Sequence, residues 1–200
     1  MKKKIALTVA SMFLMSSAAF AAPLTDYHAG KASVDLNYRN TKVDGLKAKY
    51  NLEPSVTVGV ADKWAVQYRN VNAKSKVVDD ERVKLSANEF NVLYSLTPQA
   101  SAFIGHTRTK GTAEIFGVSA SESRSSLQLG VLGTMPVAEK VSLYGVLGAG
   151  NKYTNFEVGI SYAFTENVAF NLDYRDMKAK LPAADLKAKG LGFGMSYKFN

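Results

Sequence analysis

The sequence has 200 residues, 46% of them hydrophobic, and its 25 basic and 17 acidic residues give a formal net charge of +8. It contains no cysteine, which excludes disulfides, thiolate metal sites and a lipid anchor attached through cysteine. Beyond the first residues, no apolar run approaches the ~20 residues of a membrane-spanning helix. The sequence is therefore not that of an ordinary inner-membrane protein.

The N-terminus has the pattern of a secretory signal peptide. Residues 2–4 are lysines, an apolar run follows at 5–15, and Ala19-Phe20-Ala21 is a small-x-small cleavage pattern. We predict cleavage after Ala21, which gives a signal peptide at 1–21 and one mature domain at 22–200. An exported chain of this kind is either a soluble periplasmic protein or a membrane β-barrel.

Apolar and polar residues alternate along most of the mature chain. This period of two is typical of strands with two different faces. We predict ten strands, with eight as the alternative. The ten segments lie at roughly 30–39, 49–60, 64–72, 83–96, 101–109, 124–135, 141–150, 155–164, 168–177 and 189–199.

The connections between these strands alternate between short and long. Outer-membrane barrels have short periplasmic turns and longer extracellular loops, so both chain ends are expected on the periplasmic side. The short turns are predicted at 61–63, 97–99, 136–140 and 165–167, and the longer loops near 40–48, 73–82, 110–123, 151–154 and 178–188.

The two strand faces distinguish a barrel from a soluble sandwich. The assigned outward faces carry no charged residue, and aromatic residues gather at the strand ends, as in the two girdles of a membrane barrel. The inward faces carry too many charges for a dry sandwich core. We therefore predict an all-β protein, a transmembrane antiparallel up-and-down β-barrel in the bacterial outer membrane.

Three segments fit the alternation less well. The fourth strand loses its phase between Ala87 and Phe90, which predicts a β-bulge or the point where the strand leaves the membrane. The fifth strand has no clear apolar face. Pro54 in the second strand cannot donate a ladder hydrogen bond, so an irregularity is expected there.

The hairpin Phe156–Met177 and the terminal segment Gly192–Phe199 resemble the OmpA-like family of small outer-membrane barrels, which includes opacity-type surface proteins. The resemblance implies that the barrel-assembly machinery reads the last strand, with Tyr197 and Phe199 as the assembly signal. The chain departs from the family in the Asn200 that follows Phe199 and in its strand number, since family members commonly have eight.

A Tyr-Arg pair ends three of the predicted upward strands and places Arg39, Arg69 and Arg175 in one inward layer near the external mouth. Glu157 is expected to face Arg175 directly, and Glu53 to face Arg69 or lie one diagonal step away. The complete predicted lumen ionic layer consists of Asp35, Arg39, Glu53, Arg69, Glu157, Asp173 and Arg175.

Two functions are compatible with a charged lumen. The first is a non-enzymatic barrel with a structural or cell-surface interaction role, whose interior charges only fill the lumen. The alternative is a narrow porin-like channel for small solutes, with the glycine-lined inner face of 190–199 as its open path.

Other roles have weaker support in the sequence. His28 and His106 are the only histidines, and neither has an identifiable catalytic partner, so no enzyme, metal site or cofactor is predicted. The lysine-bearing loops could attract lipopolysaccharide phosphates or an extracellular partner. No aromatic-basic platform for nucleic acid is present.

Overall fold

The computed structural model describes residues 23–77 and 81–199. The predicted signal peptide and its cleavage after Ala21 lie outside the described residues. Among the residues that are described, no helix is long and apolar enough to cross a membrane. The regular structure of this part of the chain consists of antiparallel β-strands.

Ten strands close into a single barrel, in which each strand pairs with its neighbours in sequence and β1 pairs with β10. The prediction of ten strands is confirmed, and the alternative of eight is wrong. The strands are β1 (Ala32–Val43), β2 (Ala48–Ala61), β3 (Trp64–Ser75), β4 (Glu81–Thr97), β5 (Ala100–Ile115), β6 (Val118–Ala138), β7 (Val141–Gly150), β8 (Tyr153–Ala163), β9 (Val168–Lys180) and β10 (Asp185–Phe199).

The two ends of the barrel differ. The terminal end contains the start of β1 and the end of β10, where Ala32 pairs with Phe199, together with the short turns that the sequence predicts. The opposite end, which contains the turn between β5 and β6, is called the hairpin end. At this end several strands continue well past their predicted limits. The barrel wall is therefore taller on this side than the sequence indicates.

The prediction of a loop at 110–123 is wrong. β5 and β6 stay paired up to Ile115 and Val118, and a two-residue turn, Phe116-Gly117, joins them with φ angles of 48° and 79°. The side chains on both faces of this hairpin are mostly polar or small. The alternation of apolar and polar residues that marks a strand is therefore missing, although the backbone hydrogen bonds continue.

The irregularities fall in different places from those predicted. The register of β4 with β3 is continuous through Ala87 and Phe90, so the predicted bulge is absent. Apparent loss of phase arises because a small apolar residue, Ala87, faces inward and a polar one, Asn88, faces outward. The irregularity predicted at Pro54 is confirmed, because the β2–β3 register shifts between Lys49 and Ser55.

Large apolar side chains cover the outside of the barrel. Aromatic residues contact one another across strands: Tyr38 stacks on Tyr50 at 4.9 Å, and the Trp64 and Tyr94 rings are 4.8 Å apart at the terminal end. The upper part of β5 differs, since its exposed outward residues include Ile104 followed by His106, Arg108 and Lys110. These polar residues explain why the sequence shows no apolar face for this strand.

Candidate functional site

Six charged side chains form a network across the lumen. It contains three guanidinium groups and three carboxylates, so its formal charges balance. All six are buried, with exposed fractions between 0% and 9%. The network consists of Arg39, Glu53, Arg69, Glu157, Asp173 and Arg175.

Glu157 is the acceptor that most of the network shares. Arg175 lies opposite it in the β8–β9 ladder and donates to its Oε2 from Nε at 2.9 Å and from Nη2 at 2.6 Å. Arg69 donates to the same oxygen from across the lumen at 2.8 Å, and Arg39 Nη2 lies 3.8 Å away. One carboxylate thus joins arginines from three different strands.

Glu53 is the second bridging carboxylate. Its Oε2 accepts hydrogen bonds from Arg39 Nε at 3.0 Å and from Arg175 Nη1 at 2.5 Å, and the backbone N–H of Asn72 donates to Oε1 at 3.0 Å. Ser55 lies opposite Arg69 in the ladder, so Glu53 and Arg69 are one diagonal step apart. Arg69 bonds to Glu157 instead.

The inner face of β10 is not an open path, which corrects the expectation from its glycines. Gly192 lies between Arg39 of β1 and Asp173 of β9 in the ladder. The Arg39 side chain occupies the space over Gly192, where an added Cβ would lie 3.0 Å from Arg39 Cζ. Arg39 Nη1 then donates to Asp173.

Asp35 lies on the lumen side but outside the network. It accepts a hydrogen bond from Ser55 Oγ at 2.8 Å and lines a small cavity of about 40 Å³ beside Arg69 and Glu157. Since Asp35 is four residues before Arg39 on the same strand, it belongs to a lower layer. The sequence places both residues on one face, and their four-residue spacing already separates them along the strand.

Sequence reasoning missed one buried acid, Glu89. Tyr153 OH donates to its Oε1 at 2.7 Å, and Gln128 Nε2 donates to its Oε2 at 3.5 Å. The same Gln128 nitrogen also donates to Asn91 at 2.9 Å. Alternate residues of β4 face inward from Ala87 onward. A strand without a bulge would therefore have predicted that Glu89 faces inward.

An apolar layer fills the lumen above this network, toward the hairpin end. Its members come from six strands and are nearly inaccessible to solvent. They are Val43, Val71, Ala73, Leu85, Ala87, Tyr153, Met177, Ala179 and Ala188, with Val83 and Leu186 packed against them.

The segment before β1 closes the lumen at the terminal end. Tyr27 is fully buried there with Ala65, Leu93 and Phe103, and Thr25 Oγ1 donates to the Pro98 carbonyl at 2.6 Å. Backbone bonds also hold the segment, among them Lys63 N to the Tyr27 carbonyl at 3.0 Å and Gly59 N to the Lys31 carbonyl at 2.8 Å. We call residues 23–31 the N-terminal plug.

Close backbone contact with the plug requires a glycine in β2. A Cβ at Gly59 would lie 2.1 Å from the carbonyl oxygen of His28, a distance that no side chain tolerates. Asp26 accepts a hydrogen bond from Lys31 Nζ at 2.8 Å, and this bond holds the pKa of the Asp26 carboxyl below its usual value of 3.8. Packing and backbone contacts therefore fix the plug to the barrel, and the Asp26–Lys31 ion pair stabilises the conformation of the plug itself.

The remaining predicted residues lie on the surface. His106 faces outward on β5 and is exposed, while His28 contacts Asp26 at 3.1 Å and Asp62 at 3.0 Å near the terminal end. Tyr197 and Phe199 end β10 on the outside, with their rings 4.7 Å apart. In the described ranges, no cluster of three His or acidic residues could hold a metal ion.

Several solved structures share this fold at low sequence identity. Ail, the attachment invasion locus protein of Yersinia pestis, is 18% identical with a TM-score of 0.46, over 86% of this chain and 99% of Ail. Neisserial surface protein A is 16% identical with a TM-score of 0.48, over 84% and 96%. The outer-membrane protease OmpT of Escherichia coli is 8% identical with a TM-score of 0.53, over 85% and 94%.

At these identities the similarity shows the barrel fold alone. No curated protein matches the chain in sequence. The model of the outer membrane protein beta-barrel domain family, however, matches residues 7–199, which is nearly the whole chain. Together with the closed ten-stranded barrel, this match means that the chain belongs to the outer membrane protein beta-barrel domain family and is an integral β-barrel of the bacterial outer membrane.

Proposed function

We propose that the protein is a non-enzymatic barrel with a closed lumen, which serves the cell through the surface that its hairpin end presents outside. The observation that carries this proposal is the filling of the lumen at three levels. The apolar layer, the six-residue ionic network and the N-terminal plug follow one another along the barrel axis. A solute would have to displace all three.

The ionic network supports a structural role better than a solute-binding one. Each of its carboxylates already accepts a hydrogen bond from an arginine, so a passing cation would have to compete with a buried guanidinium group. Removing one partner of a buried pair leaves an uncompensated charge. The network therefore favours a single arrangement of the strands and resists opening.

The β5–β6 hairpin is the strongest candidate for surface contact. Its tip exposes Ile115, Phe116 and Val118, with 76% of Phe116 accessible. Phe116 has a φ of 48°, in a region where asparagine and glycine are favoured at this kind of turn. An aromatic residue at a strained and solvated position supports a role in binding an extracellular partner.

An enzymatic role lacks a site. His106 faces outward between Ile104 and Arg108, and the described residues bring no acid within ion-pair distance of it. The fold shared with the protease OmpT, at 8% identity, transfers no catalytic residue. We expect purified protein to have neither protease nor lipase activity.

The proposal includes two contacts with the cell envelope. We propose that the barrel-assembly machinery recognises the end of β10 through Tyr197 and Phe199. Lipopolysaccharide is the proposed lipid neighbour of the basic residues at the hairpin end, because its phosphates are the main anions of that leaflet.

Liposome swelling tests the closed lumen for solutes. Purified barrel in liposomes is diluted into isosmotic arabinose, glycine or sodium glutamate, and a general porin serves as the positive control. We expect swelling no faster than in protein-free liposomes. Swelling with any one of these solutes would favour the porin-like channel instead.

The surface role needs its own test. Cells that display the wild-type barrel are compared with cells that display Phe116→Asn, which suits the turn but removes the ring, in adherence to immobilised extracellular-matrix proteins. We expect adherence with the wild type and a severalfold loss with the variant. Equal adherence of both strains, at equal amounts of protein on the cell surface, would mean that the hairpin tip does not bind the partner.

A further inference from the structure

We propose that a groove on the outer wall of the barrel binds a phosphorylated glycolipid, with the phosphate between Lys42 and Lys189. The groove lies over β1, β9 and β10, close to the hairpin end. The occupant to which the proposal commits is lipid A, the phosphorylated anchor of lipopolysaccharide in the outer leaflet. The inference rests on the lipopolysaccharide contact proposed above, and because the site lies on the outside of the wall it does not depend on whether the lumen is closed.

The first observation is a pair of like charges. Lys42 and Lys189 lie directly opposite each other in the β1–β10 ladder, and both point outward and are exposed. Like charges at directly opposed positions destabilise a sheet. An anion bound between the two ammonium groups would relieve this repulsion.

The second observation is that no described carboxylate forms an ion pair with either lysine. Two other lysines near this end do have acidic partners: Lys178 bonds to Asp185 at 2.8 Å, and Lys84 lies 3.5 Å from Glu114. Lys189 has Asp176 beside it on β9, yet neither Lys189 nor Lys42 forms an ion pair with any residue in the described ranges. Their charges are available to a ligand.

The third observation is the groove below the lysines. It has a volume of about 510 Å³, and its lining runs from the two ammonium groups down to apolar and aromatic side chains. Leu191, Phe193 and Leu172 are each more than half exposed. The lining side chains below the lysines are Asn40, Tyr50, Leu172, Tyr174, Leu191 and Phe193.

Aromatic packing makes the floor of the groove rigid. Tyr50 stacks on Tyr38 at 4.9 Å with nearly parallel rings, and Phe193 meets Tyr38 edge-on at 5.5 Å. A free phosphate ion would make no contact with this apolar surface. A molecule with an anionic head and an acyl chain matches both parts of the groove.

The height of the lysines agrees with a lipid headgroup. β1 begins at Ala32, so Lys42 is its eleventh residue, and a membrane-spanning strand needs ~9–11 residues. The ammonium groups therefore lie at the outer boundary of the hydrocarbon layer. Phosphates of the outer-leaflet lipid lie at the same level.

Lipid binding to purified barrels tests the proposal. Wild type, Lys42→Ala/Lys189→Ala and the control Lys49→Ala/Lys74→Ala are placed in phosphatidylcholine nanodiscs with a small fraction of bisphosphorylated lipid A. Lys49 and Lys74 also pair across strands but lie outside the groove, so both variants lose the same charge. Native mass spectrometry counts the lipid A that each barrel retains.

We expect the groove variant to bind lipid A about tenfold more weakly than wild type and the control to stay within about twofold of wild type. Lys42→Arg/Lys189→Arg should retain the lipid, and dephosphorylated lipid A should bind as weakly to wild type as lipid A binds to the groove variant. Heat-modifiable migration on gels confirms that each variant is folded.

Three results would overturn the proposal. The first is equal retention by wild type and the groove variant. The second is an equal loss in both alanine variants, which would mean a diffuse basic surface. The third is complete displacement of lipid A by millimolar inorganic phosphate, which would mean a site for the free ion.

Discussion

Arg39 and Asp173 pair over the backbone of Gly192, although an entire strand separates them. Arg39 is on β1 and Asp173 on β9, and both lie opposite Gly192 of the intervening β10. The absence of a side chain at residue 192 provides the space that the guanidinium group crosses. A glycine thus determines which charges in this lumen can meet.

Replacing this glycine should disrupt the network. The Cβ of Gly192→Val would lie 3.0 Å from Arg39 Cζ, and the two γ-methyl groups would force the guanidinium away from Asp173. We expect a loss of about 1–3 kcal/mol in the free energy of unfolding, which is typical of overpacking. Urea unfolding in micelles, followed by tryptophan fluorescence, measures this loss.

Gly145→Val is the matched control for Gly192→Val. Gly145 is also inside a strand, but the nearest atom to an added Cβ is 3.6 Å away, an ordinary contact. We expect its stability to equal that of the wild type or exceed it. If both variants lost the same stability, strand glycines in general would matter and the contact with Arg39 would not.

Glu157 should be the most sensitive position in the lumen. Glu157→Gln removes the negative charge that Arg69 and Arg175 share, and leaves the six-residue network with three cations and two anions. We expect a loss of about 3–5 kcal/mol and a lower midpoint of urea unfolding. The exposed Asp185, paired with Lys178, is the control, and Asp185→Asn should leave the midpoint unchanged.

Docking of the N-terminal plug should weaken only in acid. The hydrogen bond from Lys31 holds the pKa of Asp26 below 3.8. Both residues lie within the plug, so the ionised carboxylate stabilises the plug conformation that docks, and this contribution is present above that pH and lost as pH falls through the lower folded value. We expect the NMR signals of Tyr27 to show a docked ring from pH 7 to pH 4 and increasing exchange below pH 4. Asp26→Asn should lack this step.

Recognition of the last strand gives a further prediction. Phe199→Ala should reduce the fraction of chains that reach the folded, heat-modifiable form in cells, because the terminal aromatic residue is the proposed signal for the assembly machinery. Tyr162→Ala is the control, since Tyr162 is equally exposed near the terminal end (47% against 48%) but lies in β8. Equal folding yields for the two variants would argue against a specific signal at Phe199.

The parts of the fold that the sequence predicted are those with a local signal. Alternation in β1, β8 and β9 identified the strands, and the short 164–167 turn fixed the register in which Glu157 faces Arg175. The pairing of Glu53 could not be predicted, because the irregularity around Pro54 shifts the register of β2 against β3.

The remaining differences have physical causes as well. Above the membrane, both faces of a strand are polar, so the extension of β5 and β6 to the Phe116 turn leaves no period in the sequence. The N-terminal plug shows no alternation of apolar and polar residues either, because Tyr27 is held by single contacts with several strands. Inward glycines suggested an open path, since alternation gives the face of Gly192 but not the reach of Arg39.

Single-channel conductance tests the closed lumen most directly, because it detects any ion path, including one too narrow for the solutes of a swelling experiment. Folded wild-type barrel is added to a planar bilayer in 1 M KCl, with a general porin as the positive control. The apolar layer, the ionic network and the N-terminal plug together predict no stepwise current increase. Reproducible discrete steps from protein that is fully heat-modifiable would contradict a closed lumen.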